Sequence, residues 1–146
     1  VKYHGDRSLL GDLPALLQHS PDFLNHLEDA VLVPVPLHRR RLRERGYNQS
    51  AWIAEALSAC FDIRLKVEQV LVRTRNTRTQ TRLSREARMA NVKNAFALKP
   101  RTRLDKSRRY VVVDDVFTTG STLDACAGVL LEAGLEQVDV ATLGHG

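Results

Sequence analysis

The chain has 146 residues, with 22 Lys+Arg against 17 Asp+Glu for a formal net charge of +5, and is 43% hydrophobic and 27% charged. That balance fits a single soluble globular domain, within the roughly 100–200 residues one core serves, and not a disordered chain. No apolar run nears the ~20 residues that span a bilayer, no signal-peptide pattern opens the chain, and two cysteines, Cys60 and Cys126, build neither a disulfide framework nor a Cys-rich zinc site. A cytoplasmic, non-membrane location is expected.

Residues 11–26 read as one or two short helices, interrupted at Ser20-Pro21. Ala30 to Val35 is a compact apolar run beside Pro34 and Pro36 and reads as a buried strand. Gly46-Tyr47-Asn48 offers a turn and an N-cap. Ile53, Ala56, Leu57 and Cys60 follow at the i, i+3, i+4, i+7 spacing of one buried helix face. Val67 to Val72 reads as a second strand. From Arg73 to Asn91 the chain is polar and rich in Thr and Arg, as in a long mobile loop or an exposed helix. Tyr110 to Val113 is the clearest strand, too uniformly apolar to have a wet face, so it belongs at the centre of a parallel sheet. Ser121 is a candidate N-cap, with Asp124 three residues on, and Leu123, Cys126 and Leu130 mark a helix face ending at Gly134. Val138 to Leu143 supplies a further strand. Alternating strands and helices predict an α/β fold with a parallel sheet, whose ligands bind at the carboxyl ends of the strands.

Charge is segregated. Arg73 to Arg109 holds 13 Lys+Arg and 2 Asp+Glu, a local net of +11, so the remainder carries −6. Within that acidic remainder sits a second basic cluster of Arg39, Arg40, Arg41, Arg43 and Arg45. Concentrated basic surface attracts phosphates of nucleic acids or of small molecules, though a solvated, salt-bridged face explains such runs equally well. Aromatic residues are 5% of the chain, too few for the stacking platforms of a single-strand binder.

The chemistry concentrates in Val111-Val112-Val113-Asp114-Asp115-Val116-Phe117-Thr118-Thr119-Gly120-Ser121-Thr122. A buried strand delivers two carboxylates, and a loop of hydroxyls and glycine then enters a helix. The unpaired N–H groups of that helix terminus favour an anion. Thr118, Thr119, Ser121 and Thr122 add donors, and Gly120 lets the backbone approach a phosphate. The Walker lysine and spacing are absent, so triphosphate hydrolysis is not indicated. Two carboxylates beside a phosphate cradle repel it unless something intervenes. A sugar diol hydrogen-bonded to Asp114 and Asp115, with Mg²⁺ nearby, resolves the conflict.

This stretch resembles the diphosphoribosyl-binding signature of type I phosphoribosyltransferases. Further blocks resemble the ComF/GntX branch of that superfamily, associated with competence and DNA utilisation: residues 2–6, Val33 to His38, Arg43 to Gln49, and Thr77 to Phe96 with Gln80, Leu83, Arg88, Asn91 and Val92. The resemblance implies a Rossmann-like parallel-sheet core with a small N-terminal hood and a long flexible loop, residues 1–146 forming one phosphoribosyltransferase-like domain. Branch members carry an N-terminal zinc-finger-like segment, which is not expected within these residues. By the same resemblance, Asp114 and Asp115 hold the ribose hydroxyls of 5-phosphoribosyl 1-diphosphate (PRPP). Val116, Phe117 and Thr118 to Thr122 bind its 5-phosphate, and Pro36, Leu37, His38 and Arg39 meet pyrophosphate. Arg75, Thr77, Gln80 and Arg88 lie on the flexible loop, and Mg²⁺ arrives with PRPP.

Two functions follow from the resemblance. One is transfer of the phosphoribosyl group to a nitrogen nucleophile with release of pyrophosphate. The other is a non-catalytic factor that binds PRPP, a nucleoside monophosphate or nucleic acid. The acceptor and oligomeric state stay open. His4, His19, His26 and His145 have no ligand-like spacing, Cys60 and Cys126 read as small core residues, and Trp52 as a packing residue.

Overall fold

In the computed structural model, the described residues are 29–60, 65–74, 95–117 and 120–145. The chain order is β1 (Val31–Pro34), α1 (Arg39–Arg45), α2 (Gln49–Cys60), β2 (Lys66–Val67), β3 (Leu71–Arg73), β4 (Phe96–Leu98), β5 (Tyr110–Phe117), α3 (Ser121–Glu132) and β6 (Val138–His145). Four strands form a parallel sheet in the order β2-β1-β5-β6, and β3 pairs antiparallel with β4. The α/β class with a parallel sheet is therefore as expected. Among the described residues no helix is long and apolar enough to cross a membrane.

Strand side chains alternate between faces, and each face has its own helix. Val31, Val33, Tyr110 and Val112 pack with Leu123, Cys126 and Leu130 of α3. Leu32, Val111 and Val113 pack with Ile53, Ala54 and Leu57 of α2. Both faces of β1 and of the Tyr110–Val113 part of β5 are thus dry, which explains why those stretches are apolar without alternation. Leu57 and Leu130 are fully buried, each worth roughly 1.5–3 kcal/mol of transfer free energy. The antiparallel pair β3–β4 lies on the α3 side, where Leu71 and Phe96 join that core.

Three expectations change. The run from Val67 to Val72 is not one strand: β2 stays in the main sheet, Glu68 N–H still bonds Leu32 O, and β3 starts the second sheet at Leu71. A continuous apolar run cannot reveal that its halves serve different sheets. Helix α3 begins after Gly120, in left-handed backbone at φ 77°, rather than being capped by the Ser121 side chain. The central strand also runs past the carboxylates, with Val116 and Phe117 still paired to Gly144 and His145. The segment from Gly46 to Asn48 does supply turn and cap. Gly46 closes α1 at φ 77°, and Asn48 Oδ1 accepts from Ser50 N–H at 3.0 Å at the start of α2.

The connectivity positions a site. From β1 the chain crosses through α1 and α2 to β2 on one side, and from β5 it crosses through α3 to β6 on the other. The connections leaving the adjacent β1 and β5 therefore part at their carboxyl ends, opening a crevice at the switch point of the sheet.

Candidate functional site

A cleft occupies that crevice, lined among the described residues by Val35, Pro36 and Leu37 after β1, by Arg41, Arg45, Asn48, Gln49 and Ser50, by Arg73, and by Asp114, Asp115 and Thr122. Asp114 and Asp115 come from the pleated end of β5, so their side chains leave on alternate faces. The Asp114 carboxylate is fixed twice. Its Oδ1 accepts from Ser50 Oγ–H at 2.9 Å and from Asp115 N–H at 2.9 Å. Ser50 is only 5% exposed and stands on the first turn of α2. Asn48 extends the frame, its Nδ2–H donating to Val35 O at 3.0 Å while its Oδ1 takes Ser50 N–H. One hydrogen-bonded path thus runs from the turn after β1, through the start of α2, to the carboxylate on β5.

Burial, first, and then the adjacent Asp115 carboxyl push the Asp114 carboxyl up to about 7, against the opposing pull of its two hydrogen bonds. A carboxyl held this way gains most from ligand groups that donate hydrogen bonds or bring positive charge. On the phosphate side, Gly120 is buried in left-handed backbone, and Thr122 reaches the cleft from the first turn of α3. The orphan N–H groups of that turn and the helix dipole favour an anion there.

Of the residues singled out in the sequence, Pro36, Leu37, Asp114, Asp115 and Thr122 line this one cavity. His38 and Arg39 are not among its lining residues. His38 caps α1, its Nδ1 accepting from Arg40 N–H at 3.2 Å, and Arg39 is exposed on the first turn. Ser121 starts α3, half-buried, and Val116 and Phe117 are described as strand backbone. Thr118, Thr119, Arg75, Thr77, Gln80 and Arg88 lie outside the described residues. Tyr47 and Trp52 stack on each other, ring centroids 4.4 Å apart, so Trp52 has an aromatic partner within the chain. Cys126 is a buried core residue, its thiol pushed above the ordinary range by burial.

Sequence reasoning missed Arg41, Arg45, Arg73, Asn48, Gln49 and Ser50 as cleft residues. The four-residue spacing of Arg41 and Arg45 is the signal that one side of a helix carries both. Nothing in the sequence points Ser50 at a carboxylate 64 positions away.

No protein-family model matches the chain. Competence protein F of Haemophilus influenzae is 39% identical over 110 residues, covering 75% of this chain and 48% of that protein. The DNA utilization protein YhgH of Escherichia coli K12 is 43% identical over 109 residues, 75% of this chain and 46% of that one. Competence protein ComFC of Bacillus subtilis is 27% identical over 137 residues, 91% and 51%. The chain therefore spans about half the length of the curated relatives it matches. Among solved structures, the allosteric regulatory enzyme of purine biosynthesis matches with a TM-score of 0.52 at 26% identity, over 93% of this chain and 25% of the other. A hypoxanthine phosphoribosyltransferase from Staphylococcus aureus matches with a TM-score of 0.57 at 10% identity, over 93% and 64%, a likeness of fold alone. Sequence and fold together place the chain in the ComF-like branch of the type I phosphoribosyltransferase superfamily.

Proposed function

We propose that the chain binds PRPP with Mg²⁺ and transfers its phosphoribosyl group to a nitrogen nucleophile, releasing pyrophosphate. The observation that carries this reading is the meeting of two strand-borne carboxylates with the N-terminus of α3 in one cleft. The carboxylates suit the ribose hydroxyls, and the helix start suits the 5-phosphate. The likeness of its fold to a phosphoribosyltransferase agrees with it.

The residues present fit Mg²⁺. Asp114 and Asp115 are hard oxygen donors, and the raised Asp114 carboxyl marks a place where positive charge is welcome. Among the described residues no group of three or more His, Cys, Asp or Glu forms a protein cage. The ion would instead take its remaining ligands from phosphates and water, as Mg²⁺ does at phosphate sites. Bound there, it supplies neutralisation of the leaving diphosphate. In the transfer, the bond from C1 of the ribose to the diphosphate oxygen breaks and a bond from the acceptor nitrogen forms, that nitrogen losing a proton. The side chains position the sugar, and Asp114 and Asp115 stabilise the positive charge that develops on it.

A second reading is a nucleic-acid-associated role, favoured by the exposed Arg39, Arg40 and Arg43 of α1 and by the relatives' names. Titrating Mg-PRPP into the purified chain, then assaying pyrophosphate release with a panel of bases and amines, tests the first. Binding with acceptor-dependent release is expected. Binding without release favours the non-catalytic form, and no binding rejects the site.

A further inference from the structure

Four hydrogen bonds close a ring where the connections from β1 and β5 part. Val35 N–H donates to Val113 O at 2.9 Å, tying the chain after β1 to β5 one residue before Asp114. Asp114 Oδ1 accepts from Ser50 Oγ–H at 2.9 Å, and Ser50 N–H donates to Asn48 Oδ1 at 3.0 Å. Asn48 Nδ2–H then returns to Val35 O at 3.0 Å. Val35 and Ser50 are each only 5% exposed, so water has little access to replace these bonds. Asp115 N–H gives Asp114 Oδ1 a second donor at 2.9 Å, which fills the acceptor capacity of that oxygen. Turning the carboxylate would break both bonds, so it is aimed before any ligand arrives. Asn48, Ser50 and Asp114 all line the cleft.

An acceptor free to rotate pairs with whatever donor comes near, whereas one held in place suits a particular arrangement of hydroxyls. A site built to hydrogen-bond a hydroxyl rejects the analogue that lacks it, because its buried polar group is left unpaired. We propose that Asn48 and Ser50 are positioning residues that make the cleft selective for ribose over 2-deoxyribose, by holding Asp114 toward the vicinal diol of the sugar. The ligands admitted are then sugar phosphates of the ribo series. The proposal rests on the reading that Asp114 meets the ribose hydroxyls of PRPP, and adds the residues that set the choice of sugar.

Calorimetric titrations of the full chain with ribose 5-phosphate and with 2-deoxyribose 5-phosphate, both in Mg²⁺, test it, with Mg-PRPP titrated alongside. The parent should bind the ribo sugar about tenfold tighter than the deoxy sugar. S50A should remove that preference, weakening ribose 5-phosphate about tenfold and leaving 2-deoxyribose 5-phosphate within about twofold. N48S keeps a capping hydroxyl at the start of α2 but loses the bond to Val35 O, and should cut the preference at least about threefold. S50T keeps the hydroxyl and should keep the preference. The deoxy sugar, held by its phosphate, reports in each variant that the cleft is still folded. A preference unchanged in S50A and N48S, equal losses for both sugars, or equal affinities in the parent overturns the proposal, and Mg-PRPP binding in the same titrations leaves the PRPP reading standing. A parent chain that binds neither sugar phosphate nor Mg-PRPP overturns both.

Discussion

At the residue scale, Asp114 ties stability to pH. Its carboxyl titrates near 7 in the folded chain, against roughly 3.9 when unfolded, so the native state holds the proton more tightly. Below about pH 4 both states are protonated and the carboxyl costs nothing. Between about 4 and 7 the unfolded state alone ionises and stability falls with rising pH, the loss being complete once the folded carboxyl ionises too. Asp114→Asn should therefore raise the Tm of the ligand-free chain by several degrees at pH 8 and leave it unchanged near pH 4. Scanning calorimetry at the two pH values checks this, and an equal shift at both would show that the carboxyl is not destabilised by its surroundings. The same variant should lose Mg-PRPP affinity altogether. Ser50→Ala removes a hydrogen bond to that carboxylate, worth about 1.5–3 kcal/mol when the acceptor is charged. Ribose 5-phosphate affinity should fall about tenfold, while Ser50→Thr, which keeps the hydroxyl, stays within about threefold of the parent. Equal affinities for all three chains would reduce Ser50 to a packing residue.

At the element scale, α1 is the part of the site with least behind it. It has seven residues, none buried, and its Arg40–Glu44 pair at 3.5 Å is exposed and contributes little. Its end is fixed by Gly46, at φ 77°, whose N–H bonds Leu42 O. Nothing lies within 4 Å of where a Cβ on Gly46 would sit, so Gly46→Ala should cost about 1 kcal/mol through backbone conformation alone. Urea unfolding measures that cost, and no change would show that the turn relaxes freely. The elements with periodic or continuous apolar sequence, β1, β5, α2 and α3, were legible because burial dictates their pattern. Gly46 and Asn48 were legible as turn and cap because their local backbone chemistry is specific. Helix α1 was not: a run of arginines with one leucine carries no apolar period, and a tertiary position beside the β1 turn gives it its place. Nor was Ser50, since a serine on a helix reads the same whether it faces water or Asp114. Val67 to Val72 misled because hydrophobicity reports burial and not which sheet provides it.

At the scale of the whole molecule, charge is unevenly shared along the chain. Residues 73–109 carry +11 and the rest −6, and concentrated basic charge attracts phosphates. Helix α1 shares its cations between two tasks, with Arg41 and Arg45 lining the cleft while Arg39, Arg40 and Arg43 stay exposed beside it. Small-ligand binding and nucleic-acid binding therefore separate by mutation. Neutralising Arg39, Arg40 and Arg43 together should leave Mg-PRPP affinity within about twofold, because none of the three lines the cleft. On a single-stranded oligonucleotide the same change should lower the slope of log K against log salt by about 0.7 for each phosphate left without its arginine. Neutralising Arg41 and Arg45 should do the reverse, weakening PRPP with a smaller effect on that slope. Fluorescence anisotropy over a series of salt concentrations gives both slopes. An oligonucleotide that does not bind at low salt removes the nucleic-acid reading while leaving the transferase reading intact. A single weakening shared by both ligands would mean that the cleft and the exposed face of α1 are one continuous anion surface, with nucleic acid entering the cleft itself.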